Sequence, residues 1–444
     1  MKRLLSFTIA LIILILPLCT ISCGKGERID DYNIVVPAEC DITIKYAAEA
    51  LATLAMEKTG KALAIVSDSE VEQKHEILLG ETNREESKTT IALADKQYLL
   101  FKENEKIVIK GYGIYIGAGC GDLFNKYATV TDDGVDLSDV PSEEKVLTYT
   151  PLDTYNSVIF MIGDGMGSTH IEMTEYSTKK PFLAKGFPSV GASITRSLSV
   201  INKEASATDS AASGTAMATG YKTINGYIGL GAQSELLKNV RELAHESGAK
   251  TAIVTTDLIT GATPSSYMCH NISRENDEEL LAEINALVGD GKIDYCQGDV
   301  GDELTSHTKK ALDTVSKDGS KFFVMIEEGI IDKASHSKEH KGVIDAVTRF
   351  NDAIAYATQY TLCHPDVALI VTADHETGNL ILTTPGVYYF GSYAHTNKNV
   401  PIFAIGAGVD ALNDVKIENV LLAQFCAKAY SSDPFGDQAY AFNK

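Results

Sequence analysis

The chain has 444 residues, 44% of them hydrophobic, which leaves room for one large α/β domain and a smaller one beside it. An ordinary hydrophobic content without low-complexity tracts excludes a disordered or fibrous chain. The formal net charge of −21, with no basic stripe to offset it, argues against a nucleic-acid partner and makes any anionic substrate depend on local positive charge.

Residues 1–23 read as an export signal: Lys2-Arg3, the apolar run Leu4–Leu18, then a small residue, Ser22, before Cys23. Thr20-Ile21-Ser22-Cys23 resembles a bacterial lipoprotein box, with Thr20 where Leu is usual. The expectation is an exported protein, periplasmic or at the cell surface, attached to the membrane by a lipid on Cys23. Outside the cytosol disulfides are permitted. Cys40 and Cys120 are one candidate pair, Cys269, Cys296, Cys363 and Cys426 form a second group, and free thiols are the alternative. No CxxC occurs, so a cysteine-based zinc site is not expected.

From residue 24 the pattern is mixed. Apolar spacing predicts a helix over Tyr46–Thr59, followed by the run Ala62–Val66 and strands at Ile77–Leu79, Tyr98–Phe101 and Lys106–Lys110, with a helix start at Gly119–Tyr127. Turn residues and charge over Val140–Thr150 mark a break, so residues 24–148 read as a small α/β domain of unknown role. In residues 149–444 apolar strands recur at Ser157–Ile162, Thr251–Thr255, Phe322–Ile326, Ala368–Thr372 and Pro401–Ile405. Helical patterns such as Glu235–Glu246 and Asp277–Leu287 fill the gaps. That alternation predicts a mostly parallel sheet sandwiched by helices, with ligand sites beyond the strands' C-terminal ends.

The reactive side chains fall at those places. Asp164 ends VIFMIGD and enters a glycine-rich turn; Asp374-His375 ends ALIVTADH. Asp209-Ser210 opens an alanine-rich helix, where unpaired N–H groups and the helix dipole favour an alkoxide or a phosphate. After the strand FFVMI, Asp332 and His336 in EEGIIDKASH are spaced to share one helix face. His340 continues that spacing in a polar stretch and reads as solvated; His395 stands just before the last strand. Each alone has a plainer reading as a cap, a turn carboxylate or a surface histidine.

Together they resemble the alkaline phosphatase family over roughly residues 156–408, in the family's order. The resemblance implies an alkaline-phosphatase-like catalytic domain holding two Zn2+ and one Mg2+. Asp164 would bridge one zinc and the magnesium, and Ser210 would be the serine that is phosphorylated. Thr263 and Glu327 would be magnesium ligands, whereas Glu328 has the wrong spacing. Asp332, His336 and His395 would form the first zinc site. Asp374, His375, Ser210 and Asp164 would form the second, and Arg274 would clamp phosphate oxygens in bidentate fashion. Three divalent cations set against Asp164, Glu327, Asp332 and Asp374 leave a local positive excess, which answers the puzzle of an acidic protein taking a phosphate dianion.

The implied activity is hydrolysis of small-molecule phosphate monoesters through a phosphoserine. The alternatives are a phosphodiesterase or nucleotide pyrophosphatase of the same superfamily, or a non-catalytic metal-stabilised surface protein. The first generally lacks a third metal, and the second would show a lost ligand. The Cys/Ser-x-Pro-x-Arg signature of sulfatases is missing. Gly261 departs from the family's Asp or His near the magnesium, and Lys333 stands where many relatives carry His. Only some twenty residues lie between His375 and His395, too few for the family's large crown-like insertion, so a more open site is expected and a homodimer stays open.

Overall fold

The computed structural model describes residues 29–131, 134–440 and 442; the export signal expected over residues 1–23 lies outside the described residues. Two sheets organise the chain. The first is built from β1 (Asn33–Val36), β2 (Ala64–Ser67), β3 (Glu76–Leu79), β4 (Gln97–Glu103), β5 (Lys106–Gly111) and β8 (Lys145–Thr148), in the order β2-β1-β3-β5-β4-β8. A small hairpin, β6 (Thr129–Thr131) and β7 (Gly134–Asp136), stands apart. The pairings β2–β1, β1–β3 and β3–β5 are parallel, and β4 runs antiparallel to β5 and β8. Helix α1 (Ile42–Thr59) begins before Tyr46 because the Asp41 carboxylate accepts the N–H groups of Thr43 and Ile44. It ends at Gly60, whose φ of +69° suits the left-handed cap. Helix α2 (Ile116–Asp122) follows β5.

The second sheet holds the recurrent apolar strands: β9 (Ser157–Gly163), β10 (Ser189–Ile194), β11 (Lys250–Thr255), β12 (Tyr295–Gln297), β13 (Phe322–Glu328) and β14 (Val367–Thr372). The short pieces β15 (Glu376–Thr377), β16 (Leu380–Thr384), β17 (Val387–Phe390) and β18 (His395–Thr396) intervene before β19 (Val400–Gly406) and β20 (Lys416–Glu418). Its order is β12-β11-β13-β9-β14-β19-β10-β20. Strands β12 to β14 form a continuous parallel run, and every residue of β9, β13 and β14 is buried, as for a sheet covered on both faces.

The helices of this half are α3 (Ser168–Thr178), α4 (Leu198–Ile201), α5 (Ser210–Thr219), α6 (Val240–Glu246), α7 (Ala262–Ser266), α8 (Asp277–Gly289), α9 (Leu304–Ser316), α10 (Ile330–His336), α11 (His340–Cys363) and α12 (Val420–Ala427). Three details depart from the sequence reading. Strand β19, expected to continue the pattern, lies antiparallel to β14, and β10, a run of small residues, pairs antiparallel with it. Helix α6 starts at Val240 rather than Glu235: Asn239 accepts the N–H of Glu242, whose carboxylate accepts that of Asn239, and this capping box fixes the start.

Helix α11, 24 residues long, packs on the second sheet and also on α1 and α2. Tyr46 meets Tyr356 edge-on at 5.8 Å, and the Gln359 amide donates to the Ile114 carbonyl at 3.0 Å. A Cβ on Gly121 would stand 2.9 Å from Cys363 Cα, so that glycine sets how closely α2 approaches. The six described cysteines are free thiols. The neighbour of Cys120 is Cys363, from the other half of the chain, and not Cys40; both thiols are fully buried in one core.

Candidate active site

Asp164, Glu327 and Asp374 stand at the ends of β9, β13 and β14, three adjacent parallel strands, so the sheet itself delivers three carboxylates to one edge. Backbone bonds hold the loops in place. The Asp164 N–H donates to the Glu328 carbonyl at 3.1 Å, and the Gly165 and His375 N–H groups both donate to Asp374 Oδ1, at 3.0 and 2.8 Å. Gly165 has a φ of +75°, and a Cβ there would meet Thr377 Oγ1 at 2.8 Å and Asp332 Cα at 2.9 Å. Only glycine lets α10, with its Asp332 and His336, come this close to the β9 turn.

Ser210 opens α5. Asp209 caps that helix by accepting the Ala212 N–H at 3.0 Å, and its other oxygen accepts from the Gly226 N–H at 2.9 Å and from Arg274 Nη1 at 3.4 Å. Asp209 thereby fixes the start of the Ser210 helix and the arginine together. Burial works against the Arg274 charge, but Asp209 and Asp164 outweigh it and raise its pKa. Ser210 Oγ lies 3.2 Å from His375 Nε2 and is buried.

The three histidines are oriented from behind. His336 Nδ1 meets the Tyr393 carbonyl, His395 Nδ1 the Thr208 carbonyl at 2.8 Å, and His375 Nδ1 the Thr377 hydroxyl at 3.2 Å. The Thr377 hydroxyl itself donates to Asp332 Oδ1. Each Nδ1 therefore carries the proton, and in a neutral ring each Nε2 is a bare lone pair. These lone pairs converge. His336 and His395 Nε2 are 2.9 Å apart, with Asp332 oxygens at 3.4 and 3.5 Å. His375 Nε2 faces Asp374 Oδ2 at 3.1 Å and Asp164 Oδ1 at 3.6 Å.

Two acceptors facing each other repel, so the arrangement calls for cations. The buried oxygens Asp164 Oδ1 and Asp374 Oδ2 have no hydrogen-bond partner. Two ligand groups emerge, Asp332 with His336 and His395, and Asp164 with Asp332 and His375, the atoms of each within 4.8 Å of one another. Asp332 is common to both. The sequence reading had placed it in the first alone and Asp374 in the second. A pair of charges about 4.8 Å apart interacts by roughly 3–4 kcal/mol at an effective dielectric of about 20, so several buried carboxylates cannot stay ionised here uncompensated.

Their pKa values say the same. Burial, then the charges of Asp374, Asp332 and Glu327, push Asp164 well up. Burial raises Asp374 to about 6 and Glu327 to about 8, the latter with help from the Asp257 and Asp374 charges and against hydrogen bonds from Thr255 and Thr263. Asp332 is the exception: burial would raise it, but His395, His375 and His336 hold it low. Burial drives His375 well below the ordinary imidazole value, while Asp332 lifts His395 against the effect of burial.

A pH dependence follows for protein stripped of metal. Groups raised in the folded state hold protons that the unfolded chain has released, so stability is lost as pH rises through the folded pKa. Between pH 7 and 8.5 an ordinary imidazole is already neutral, the Asp332 contribution is fully present, and Glu327 is giving up its proton. The thermal midpoint of chelated protein should therefore fall across that interval, and restoring saturating divalent metal should abolish the fall. A midpoint that rises with pH in chelator would contradict this.

Thr263, on α7, donates to Asp164 Oδ2 at 3.4 Å, and the Thr255 hydroxyl donates to Glu327, which joins these groups at a second pole of the site. His340 stays outside: exposed, it reaches the Tyr388 carbonyl at 3.0 Å. Glu328 is also outside, fully buried in a bidentate pair with Arg349 at 2.7 and 2.9 Å. The stretch between His375 and His395 folds as the short β16–β17 hairpin.

The sequence reading passed over His170. It is fully buried, accepts the Gly167 N–H at 3.2 Å and meets Ser335 Oγ at 3.1 Å, so it ties the Asp164 turn to α10. Burial lowers its pKa to about 4, which leaves it neutral. Its place one turn beyond GDGMG was the available signal.

The family model described as Alkaline phosphatase matches residues 155–303 and 297–405, more than half of the chain. The chain belongs to the alkaline phosphatase family. Alkaline phosphatase 4 of Bacillus subtilis (strain 168) is 27% identical over 303 residues, which is 52% of this chain and 63% of that protein. Alkaline phosphatase 3 of the same organism is 27% identical over 340 residues, 61% of this chain and 73% of that protein. The first match therefore spans less than two thirds of the relative's length. Among solved structures, the alkaline phosphatase from the Antarctic bacterium TAB5 superposes with a TM-score of 0.58 at 26% identity, covering 63% of this chain and 98% of that one. A structure of a mutant of that protein has Mg bound.

Proposed function

We propose that the chain hydrolyses phosphate monoesters through a phosphoserine on Ser210. One observation carries this reading: a buried serine at a helix N-terminus, 3.2 Å from an imidazole nitrogen, beside two converging sets of carboxylates and bare Nε2 atoms. Asp332, His336 and His395 would hold one Zn2+, and Asp164, Asp374, His375 and Ser210 a second, with the Asp332 carboxylate within reach of both. Asp164, Thr263 and Glu327 would hold an Mg2+. When bound, these ions supply positive charge against the phosphoryl group and lower the pKa of coordinated oxygens.

The chain's own residues do the rest. Ser210 Oγ attacks phosphorus while the bond to the ester oxygen breaks and the alcohol departs with a proton. Water then cleaves the Ser210 phosphate ester, releasing inorganic phosphate and restoring the hydroxyl. Arg274, anchored on Asp209, presents a planar pair of N–H donors to two phosphate oxygens and so fixes the line of attack. Asp209 and the α5 N-terminus keep Ser210 in place as charge develops on it.

This reading extends to the setting. Residues 24–148 would be a small α/β domain packed on the catalytic one through α11, and the protein is exported and lipid-anchored through Cys23. Among the described residues no helix is long and apolar enough to cross a membrane. The test compares p-nitrophenyl phosphate with bis-p-nitrophenyl phosphate, after chelation and again with zinc and magnesium restored. A metal-dependent preference for the monoester of about 100-fold or more is expected. Preference for the diester would move the chain to the phosphodiesterase branch, and no turnover with metal bound would defeat a catalytic role.

A further inference from the structure

The loop between β11 and α7 carries a carboxylate that the proposed chemistry leaves unused. Asp257 follows Thr255, the residue bonded to Glu327, and precedes Thr263, the residue bonded to Asp164. Its N–H donates to Thr255 Oγ1 at 2.9 Å, and Lys333 Nζ is paired with its Oδ1. Two glycines make room for it. A Cβ on Gly329 would stand 2.9 Å from Asp257 Cβ; one on Gly261 would stand 3.2 Å from Asp257 Oδ2 and 2.9 Å from the Leu258 carbonyl. As the loop is wound, residue 261 has no space for a side chain, and the Asp257 carboxylate fills the place beside it. Asp164, a buried carboxylate, reaches the same pole with its Oδ2, which accepts from Thr263, while its Oδ1 faces His375.

We propose that Asp257 supplies the acidic group of the third cation site that residue 261 cannot, with Lys333 as its counter-charge. This rests on the three-metal reading above. Magnesium keeps several waters and is held directly by one or two carboxylates, so an acid just outside them acts by fixing a water and adding negative charge. Lys333, half exposed, offsets that charge and competes with the cation for Asp257. The pair therefore tunes cation affinity in two opposed directions.

That opposition is the test. Magnesium chloride is titrated calorimetrically into zinc-loaded, phosphate-free protein, with zinc content measured in parallel. Asp257→Asn should weaken magnesium binding by about tenfold and Lys333→Met should tighten it severalfold, both with zinc content unchanged. Asp257→Glu should restore part of the loss. An ion pair that merely braced the loop would move both variants the same way, and that result, or an Asp257→Asn affinity equal to wild type, overturns the proposal. If wild-type protein takes up no magnesium, the proposal fails with the third site, while monoester turnover on zinc alone would leave the phosphatase reading intact.

Discussion

Ser210→Ala is expected to lower turnover of p-nitrophenyl phosphate by on the order of 10⁴-fold, about 5.4 kcal/mol of transition-state stabilisation. The loss is large because no second hydroxyl is placed to take over. Ser213, the next serine on α5, donates its hydroxyl to the Asp374 carbonyl at 2.6 Å and is thus committed to structure. Among the described residues the Ser210 hydroxyl hydrogen-bonds only to His375, so its removal leaves the fold in place, and Asp164, Asp374 and His375 remain to hold the second cation with weakened affinity. Acid-quenched wild-type protein should carry phosphate on the peptide containing Ser210, and the variant none. Label trapped on another residue would sink the assignment.

Asp332→Ala should do more damage to the site than His336→Ala. Asp332 faces His336 and His395 with its carboxylate, accepts from the Thr377 hydroxyl, and sits within reach of Asp164 and His375. Losing a group that only braces a ligand weakens metal affinity by roughly 10–100-fold, so losing a carboxylate common to two ligand groups should exceed about 100-fold at both. The expected result is zinc content falling towards none in Asp332→Ala but towards one per chain in His336→Ala, read by elemental analysis after gel filtration. Equal zinc content in the two variants would show that Asp332 serves one group only.

The parallel core was legible in the sequence because β9, β13 and β14 are unbroken apolar runs, and Asp164, Asp332 with His336, and Asp374 with His375 could be placed because each follows such a run. Strand β10 was not legible: Ser189-Val190-Gly191-Ala192-Ser193-Ile194 has neither alternation nor bulk, and its pairing with β19 and β20 makes it a strand. The direction of β19 was hidden for a similar reason, since apolar continuity states burial and not polarity. At the site, spacing brought Asp332 and His336 onto one helical face but could not show that Asp332 also faces His375. Asp257 belongs to no pattern, and His170 had only its place after GDGMG to mark it. Their roles come from contacts made by residues distant in the chain, so they emerge only in three dimensions.

Helix α11 serves as the floor of the second sheet and as the neighbour of α1 and α2, with Tyr46, Tyr98, Tyr115 and Ala118 continuous with its buried face. Cys363, its last residue, belongs to the core of the first sheet. The two sheets thus share one body of apolar contact, although the polypeptide passes between them only once, near residue 150. A cut in that connection would divide the covalent chain without dividing the cores. Cooperative units in this molecule are drawn by α11, and the apparent boundary in sequence is not a boundary of unfolding.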